Sequence, residues 1–136
     1  MKKLILSITF LTAATFAGDW ALVANPAVGT GSVSKSDLKR IYTGKKSQLG
    51  SGKVVPIMLS ESNPAAAAFL HEVLGMSGAE YKKFWVDAQI KGEGTAPMTQ
   101  KNSAAAVAIV SELPGGIAVV EKSATGSGSV KVLEVK

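Results

Sequence analysis

The 136-residue sequence contains no cysteine. That excludes a disulfide framework, a thiol nucleophile and any cysteine-ligated metal centre. Histidine occurs once, as His71 between Leu70 and Glu72, so no H-x-x-x-H pair can form, and no D-x-D-x-D-G loop is present. Nothing marks a partner that would make His71 a general base, so the expectation is a protein without metal, cofactor or catalytic centre. Aromatic residues are sparse, at 6% of the chain. The apolar stretch at residues 4–16 is interrupted by Ser7, Thr9, Thr12 and Thr15, and it is shorter than the ~20 residues that a membrane-spanning helix needs.

The flanks of that stretch suggest what it is for. Met1-Lys2-Lys3 makes a basic start, and Thr15-Phe16-Ala17 makes a small-residue exit before Gly18. Residues 1–17 are therefore read as a secretory signal peptide, with no cysteine after it to carry a lipid. The expected product is residues 18–136, periplasmic or secreted from a bacterium, with no membrane span once the leader is removed. Its 119 of the 136 residues suit one domain with one core. Losing Lys2 and Lys3 lowers the formal charge from +5 to +3, which gives little reason to expect nucleic acid as a partner.

Along the chain, apolar runs and helical stripes alternate. WALVA at 20–24 reads as a buried strand ending at Asn25-Pro26, followed by a Gly-rich loop through Val33. Ser34 and Asp37 make an S-x-x-D helix start; Leu38, Ile41 and Tyr42 share one face, and Gly44 stops the helix. VVPIML at 54–59 is a second strand, with Pro56 expected at an edge or a bulge because proline cannot donate to a ladder. Ser62-Asn63-Pro64 starts a helix with Phe69, Leu70, Val73 and Leu74 on its apolar face. Ser77 and Glu80 form a capping box for the next, where Tyr81, Phe84, Trp85 and Ala88 follow helical spacing. Residues 92–97 read as loop. Asn102 or Ser103 caps an Ala/Val helix that Pro114-Gly115-Gly116 breaks, and strands follow at 117–120 and 130–135. The order β-α-β-α-α-α-β-β predicts a three-layer α/β/α sandwich.

These pieces, in this order, resemble the second lobe of the phosphate-type periplasmic solute-binding proteins, a type 2 periplasmic-binding-protein fold. The matching segments are Asn25-Pro26, SKSDLKRIYTGK at 34–45, Val55-Pro56, Phe69 with Val73-Leu74-Gly75, Tyr81 and Trp85, Gly92-Glu93-Gly94 with Pro97, and PGGIAVV at 114–120. The resemblance implies a single-lobe, non-enzymatic relative of proteins whose two lobes close on an oxyanion, usually phosphate, for uptake or sensing. It also implies that WALVA and GIAVV are the strands that cross between lobes. This chain has no room for another lobe, so the missing half of the cleft would come from a second copy or a protein partner.

The family's anion loop has the pattern Arg-x-x-x-Ser-Gly-Thr between a strand and a helix. Matched here, Met58 stands at the Arg, Ser62 at the Ser, Asn63 at the Gly and Pro64 at the Thr. Ser60, Ser62 and Asn63 are therefore the candidate ligand-binding residues, through hydroxyls and amides at a helix start. Pro64 removes one of those amides and Glu61 sets a carboxylate beside them. A separate basic group, Lys39, Arg40, Lys45 and Lys46, is the candidate docking surface for an acidic partner. Two readings stand: an oxyanion-binding domain of an uptake or sensing system, or an interaction protein that kept the fold and lost the ligand, acting through its basic helix or exposed edge strands.

Overall fold

A computed structural model describes residues 20–126 and 128–136. The expected signal peptide lies outside the described residues. The chain runs β1 (Trp20–Ala24), β2 (Ser32–Val33), α1 (Lys35–Tyr42), β3 (Gln48–Leu49), β4 (Gly52–Lys53) and β5 (Val55–Leu59). It continues through α2 (Pro64–Phe69), a π-turn (Leu70–Leu74), α3 (Gly78–Ile90), β6 (Met98–Gln100) and α4 (Ser103–Glu112). It ends with β7 (Gly116–Glu121), a 3₁₀ turn (Lys122–Ala124) and β8 (Lys131–Val135).

Six strands form one mixed sheet in the order β2-β8-β1-β7-β5-β6, while β3 and β4 pair separately. β5 is parallel to both β7 and β6, and β1 is antiparallel to both β7 and β8. In central β7, Gly116 through Val120 are all buried. Successive strand residues point to opposite faces, so both faces of the sheet are covered. On one face, Trp20 of β1 meets Phe69 of α2 edge-on at 5.2 Å. On the other, Asn25, five residues on and of opposite parity, reaches the carbonyls of Val110 and Ser111 in α4. The fold is thus the three-layer α/β/α sandwich that the pattern predicts.

Most polar side chains inside this core have hydrogen-bond partners, the Trp85 indole N–H excepted. Asn25 Nδ2 donates to Val110 O at 2.8 Å and Ser111 O at 3.2 Å, and its Oδ1 accepts from Ala27 N at 2.8 Å. Tyr42 donates to Ile57 O at 2.9 Å, tying α1 to β5, and Tyr81 donates to Tyr42 O at 2.6 Å, tying α3 to the end of α1. Burial pushes the Tyr42 phenol well above its ordinary value, with the Tyr81 phenol adding to the rise. It pushes Tyr81 up to about 12. The Trp85 indole N–H opposes the Tyr81 shift, yet makes no hydrogen bond of normal geometry.

Local differences from the expected pattern have simple causes. β2 falls within the expected Gly-rich loop, and β3 and β4 form a small ladder between α1 and β5; each of the three strands is two residues long, too short to show an alternation. β6 is Met-Thr-Gln directly after Pro97, three residues long, and it is an edge strand. Pro56 makes no bulge. β5 lies inside the sheet, but β6 pairs only with Ile57–Leu59, so at Pro56 the outer side of β5 is locally free. Val55 N donates to Gly115 O, which turns the next residue's missing N–H toward that free side. The helix from Pro64 loosens into a π-turn before Gly75 ends it at φ 70°.

Candidate functional site

β5, β6 and β7 all end at one edge of the sheet, and β1 begins there, because Trp20 pairs with Glu121. Here β7 does not continue away from the sheet. After Glu121 the chain turns through Lys122–Ala124 and returns as β8 alongside β1.

The turn 60–63 sits at this edge, between β5 and α2. Ser60 N donates to Gln100 O at 2.9 Å, pinning the end of β5 to the end of β6. Asn63 N donates to Ser60 O at 2.8 Å and closes the turn. Asn63 is the N-cap of α2: its Oδ1 accepts from Ala65 N at 2.8 Å, and Pro64 fills the first helical position. The Ser60 and Ser62 hydroxyls lie 3.1 Å apart and exposed. The three candidate ligand residues are therefore brought together, but the amides of Ser60, Asn63 and Ala65 are already engaged. Met58, at the place of the family's arginine, is buried at 4% exposure and offers no charge.

A second helix start at the same edge is also internally satisfied. Asn102 caps α4 through Ala105 N at 2.9 Å. Ser103, buried, donates to Glu121 Oε1 at 3.0 Å and accepts from Glu121 N at 3.0 Å. A carboxylate of the chain itself thus occupies the start of α4, where the helix dipole favours negative charge. No signal in the sequence singled out Glu121, since its partner lies 18 residues away in the chain.

Beside the turn, α3 and the ends of β5 and β6 enclose an open cavity of about 520 Å³. Its lining includes Ser60 and Glu61 of the turn, Lys82, Trp85 and Val86 of α3, and Thr99 of β6. Glu61 rides over Gly78 at the start of α3: a Cβ on Gly78 would stand 2.8 Å from Glu61 Cβ.

The basic group occupies a different element. Lys39 and Arg40 are exposed on α1, with Lys45 and Lys46 in the turn after it. Asp37, which the S-x-x-D pattern places in the first turn, holds Lys46 at 3.2 Å and Arg40 at 3.9 Å. Lys39 and Lys45 take part in no ion pair among the described residues. His71 is exposed on the π-turn, and the described residues include no group of three metal-ligating side chains. None of the described helices is long and apolar enough to cross a membrane.

No protein-family model matches the sequence, and no curated protein does either. Solved structures do share the fold. A protein from Clostridium perfringens, described as a phosphate ABC transporter substrate-binding protein and solved with phosphate bound, aligns at a TM-score of 0.66 and 17% identity over 86% of this chain and 44% of its own. PstS from Borrelia burgdorferi aligns at 0.63 and 12%, over 87% of this chain and 47% of its own. An ABC-type phosphate transport receptor from Vibrio cholerae aligns at 0.55 and 14%, over 86% and 46%. The chain spans less than half the length of each. At such identities the likeness speaks to architecture: the described chain has the fold of one lobe of these substrate-binding proteins.

Proposed function

We propose that this chain is an exported, non-enzymatic binding domain of a solute-uptake or sensing system, with residues 1–17 as its signal peptide and residues 18–136 as a single periplasmic or secreted lobe. The observation that carries this reading is the fold shared with phosphate transport receptors along nearly all of the described chain. An oxyanion such as phosphate would be taken at the turn 60–63, by the Ser60 and Ser62 hydroxyls and the amides left free around Asn63. Such binding is weak in a lone lobe, because two of the turn's amides and that of Ala65 in α2 already have acceptors and Glu61 lies within the turn. A second copy or a protein partner would close the other side of the cleft edge.

A second reading, an interaction protein without a ligand, draws on the same engaged amides and on the unpaired cations Lys39 and Lys45. These, with Arg40 and Lys46, would form the docking surface for an acidic partner. Calorimetric titration with phosphate and with sulfate separates the two readings. Saturable heat that Ser62→Ala weakens supports the binding domain; no heat at about 10 mM anion, a concentration that reports even affinities weaker than −4 kcal/mol, leaves the interaction protein. Sedimentation across a concentration series tests pairing, and a strict monomer throughout would remove the second copy as the source of the missing half.

A further inference from the structure

The cavity beside the turn 60–63 carries a charge pattern unlike that of an oxyanion site. Glu61 and Lys82 both line it. The ion pairs among the described residues join Asp37 to Arg40 and Lys46, and Asp87 to Lys83, so Glu61 and Lys82 are each left without a partner of opposite charge. Met58, Trp85, Val86 and Pro97 add apolar lining to the same cavity. Met58 and Trp85 are almost wholly buried and Val86 is 49% exposed, so the cavity has a fixed apolar base and an open apolar rim. Ser60 and Thr99 add hydroxyls. The volume of about 520 Å³ falls within the usual range for small-molecule sites, roughly 300–1,000 Å³.

The chemistry of the walls limits what fits. A simple anion that approaches Lys82 meets the Glu61 carboxylate in the same space, and a simple cation at Glu61 meets the Lys82 ammonium. A molecule bearing both charges answers both side chains in one cavity, and an apolar branch on it finds Trp85 and Val86 in the same lining. The Glu61 position is also set by shape. Gly78 leaves room for the Glu61 side chain to lie across the start of α3, and a methyl group there would force Glu61 aside.

We propose that this cavity binds a small zwitterion with an apolar side chain, the chemistry of an aliphatic α-amino acid, its ammonium on Glu61 and its carboxylate on Lys82. The site shares Ser60 with the turn 60–63 but does not need that turn to bind an oxyanion.

The test is titration of the purified protein with L-leucine, 3-methylbutylamine, 4-methylpentanoate and inorganic phosphate, read by calorimetry and by NMR shifts of the Trp85 indole. Leucine should saturate the site, with the amine and the acid, each lacking one charge, at least about tenfold weaker. Glu61→Gln and Lys82→Met should each weaken leucine by about the same factor, and Glu61→Gln should leave 4-methylpentanoate as tight or tighter. Gly78→Ala keeps every charge and should still weaken leucine by displacing Glu61. Absence of saturable leucine binding, or equal binding of the singly charged analogues, overturns the proposal. Phosphate binding without leucine binding would sink it alone; leucine binding without phosphate binding would sink the oxyanion reading of the turn alone.

Discussion

Two turns of similar length join a strand to a helix in this lobe, and they are held in opposite ways. At 114–116, between α4 and β7, the backbone leaves no freedom. Gly115 sits at φ 85°, and a Cβ on it would lie 2.5 Å from Lys53 O. Gly115 O accepts from Val55 N at 2.8 Å, and Gly116 O accepts from Asn25 N at 2.9 Å, so this turn sets the start of β5 and the end of β1 together. At 60–63, between β5 and α2, one backbone bond is local, Asn63 N to Ser60 O, and a single one reaches another strand, Ser60 N to Gln100 O, while the Ser60 and Ser62 hydroxyls meet each other at 3.1 Å. The first turn is specified by contacts with distant strands. The second is tied to a distant strand by one backbone amide, which any residue but proline supplies, and otherwise asks for a residue that can cap a helix. Side chains at 60–63 other than the cap can therefore vary without disturbing the sheet, whereas a side chain at Gly115 meets a positive φ and the Lys53 carbonyl.

The sharpest way to break that contrast is Gly115→Ala. The substitution meets a positive φ and a backbone oxygen that cannot rotate away, which together should cost ~3 kcal/mol or more of stability. Urea denaturation followed by circular dichroism would measure it through a lowered midpoint. A loss below about 0.5 kcal/mol, the scale of an ordinary surface change, would mean the turn relaxes and does not set the strand register.

What the sequence made legible divides along the same line. WALVA, GIAVV and the capping box at Ser77 and Glu80 announce themselves, because a buried strand or a helix start depends on a few neighbouring residues. The sandwich followed from their order. β6 did not, because three residues after a proline hold no period, and its pairing with β5 is decided across some forty residues of chain. The state of the candidate site was legible only in part. The absence of an arginine at Met58 and of an amide at Pro64, set against the loop of the family that the sequence resembles, could be read directly. The engagement of the Ser60 amide by Gln100, the Glu121 carboxylate at the start of α4 and the seating of Glu61 over Gly78 are tertiary facts with no local signature.

Alkaline pH probes the well-determined region by another route. Tyr42 and Tyr81 hold their protons in the folded state above the ordinary tyrosine value of 10.0, Tyr81 to about 12, because burial disfavours the phenolate. Unfolded tyrosines release theirs near 10, so above that pH the unfolded state binds fewer protons and stability falls as pH rises. The contribution is fully present below about pH 10 and is lost progressively toward pH 12 and beyond. Thermal midpoints recorded from pH 8 upward should stay level until about 10 and then decline. Tyr81→Phe should flatten the first part of that decline, and an unchanged slope in the variant would show that Tyr81 titrates normally in the folded protein.

The smallest effect belongs to the permissive turn. Ser62→Ala removes one exposed hydroxyl whose recorded partner is the Ser60 hydroxyl at 3.1 Å, and both can be solvated by water in its absence. Stability should change by no more than about 0.5 kcal/mol. Asn63→Ala in the same turn should cost ~1 kcal/mol, because Asn63 Oδ1 supplies the acceptor for Ala65 N at the start of α2. The pair of values separates two kinds of residue that a family alignment places side by side: one that keeps the helix and one free to serve a ligand. If Ser62→Ala proves as costly as Asn63→Ala, the serine is part of the helix cap after all. The turn would then be as tightly specified as the glycines at 115 and 116, and its retained serine would be explained by folding alone.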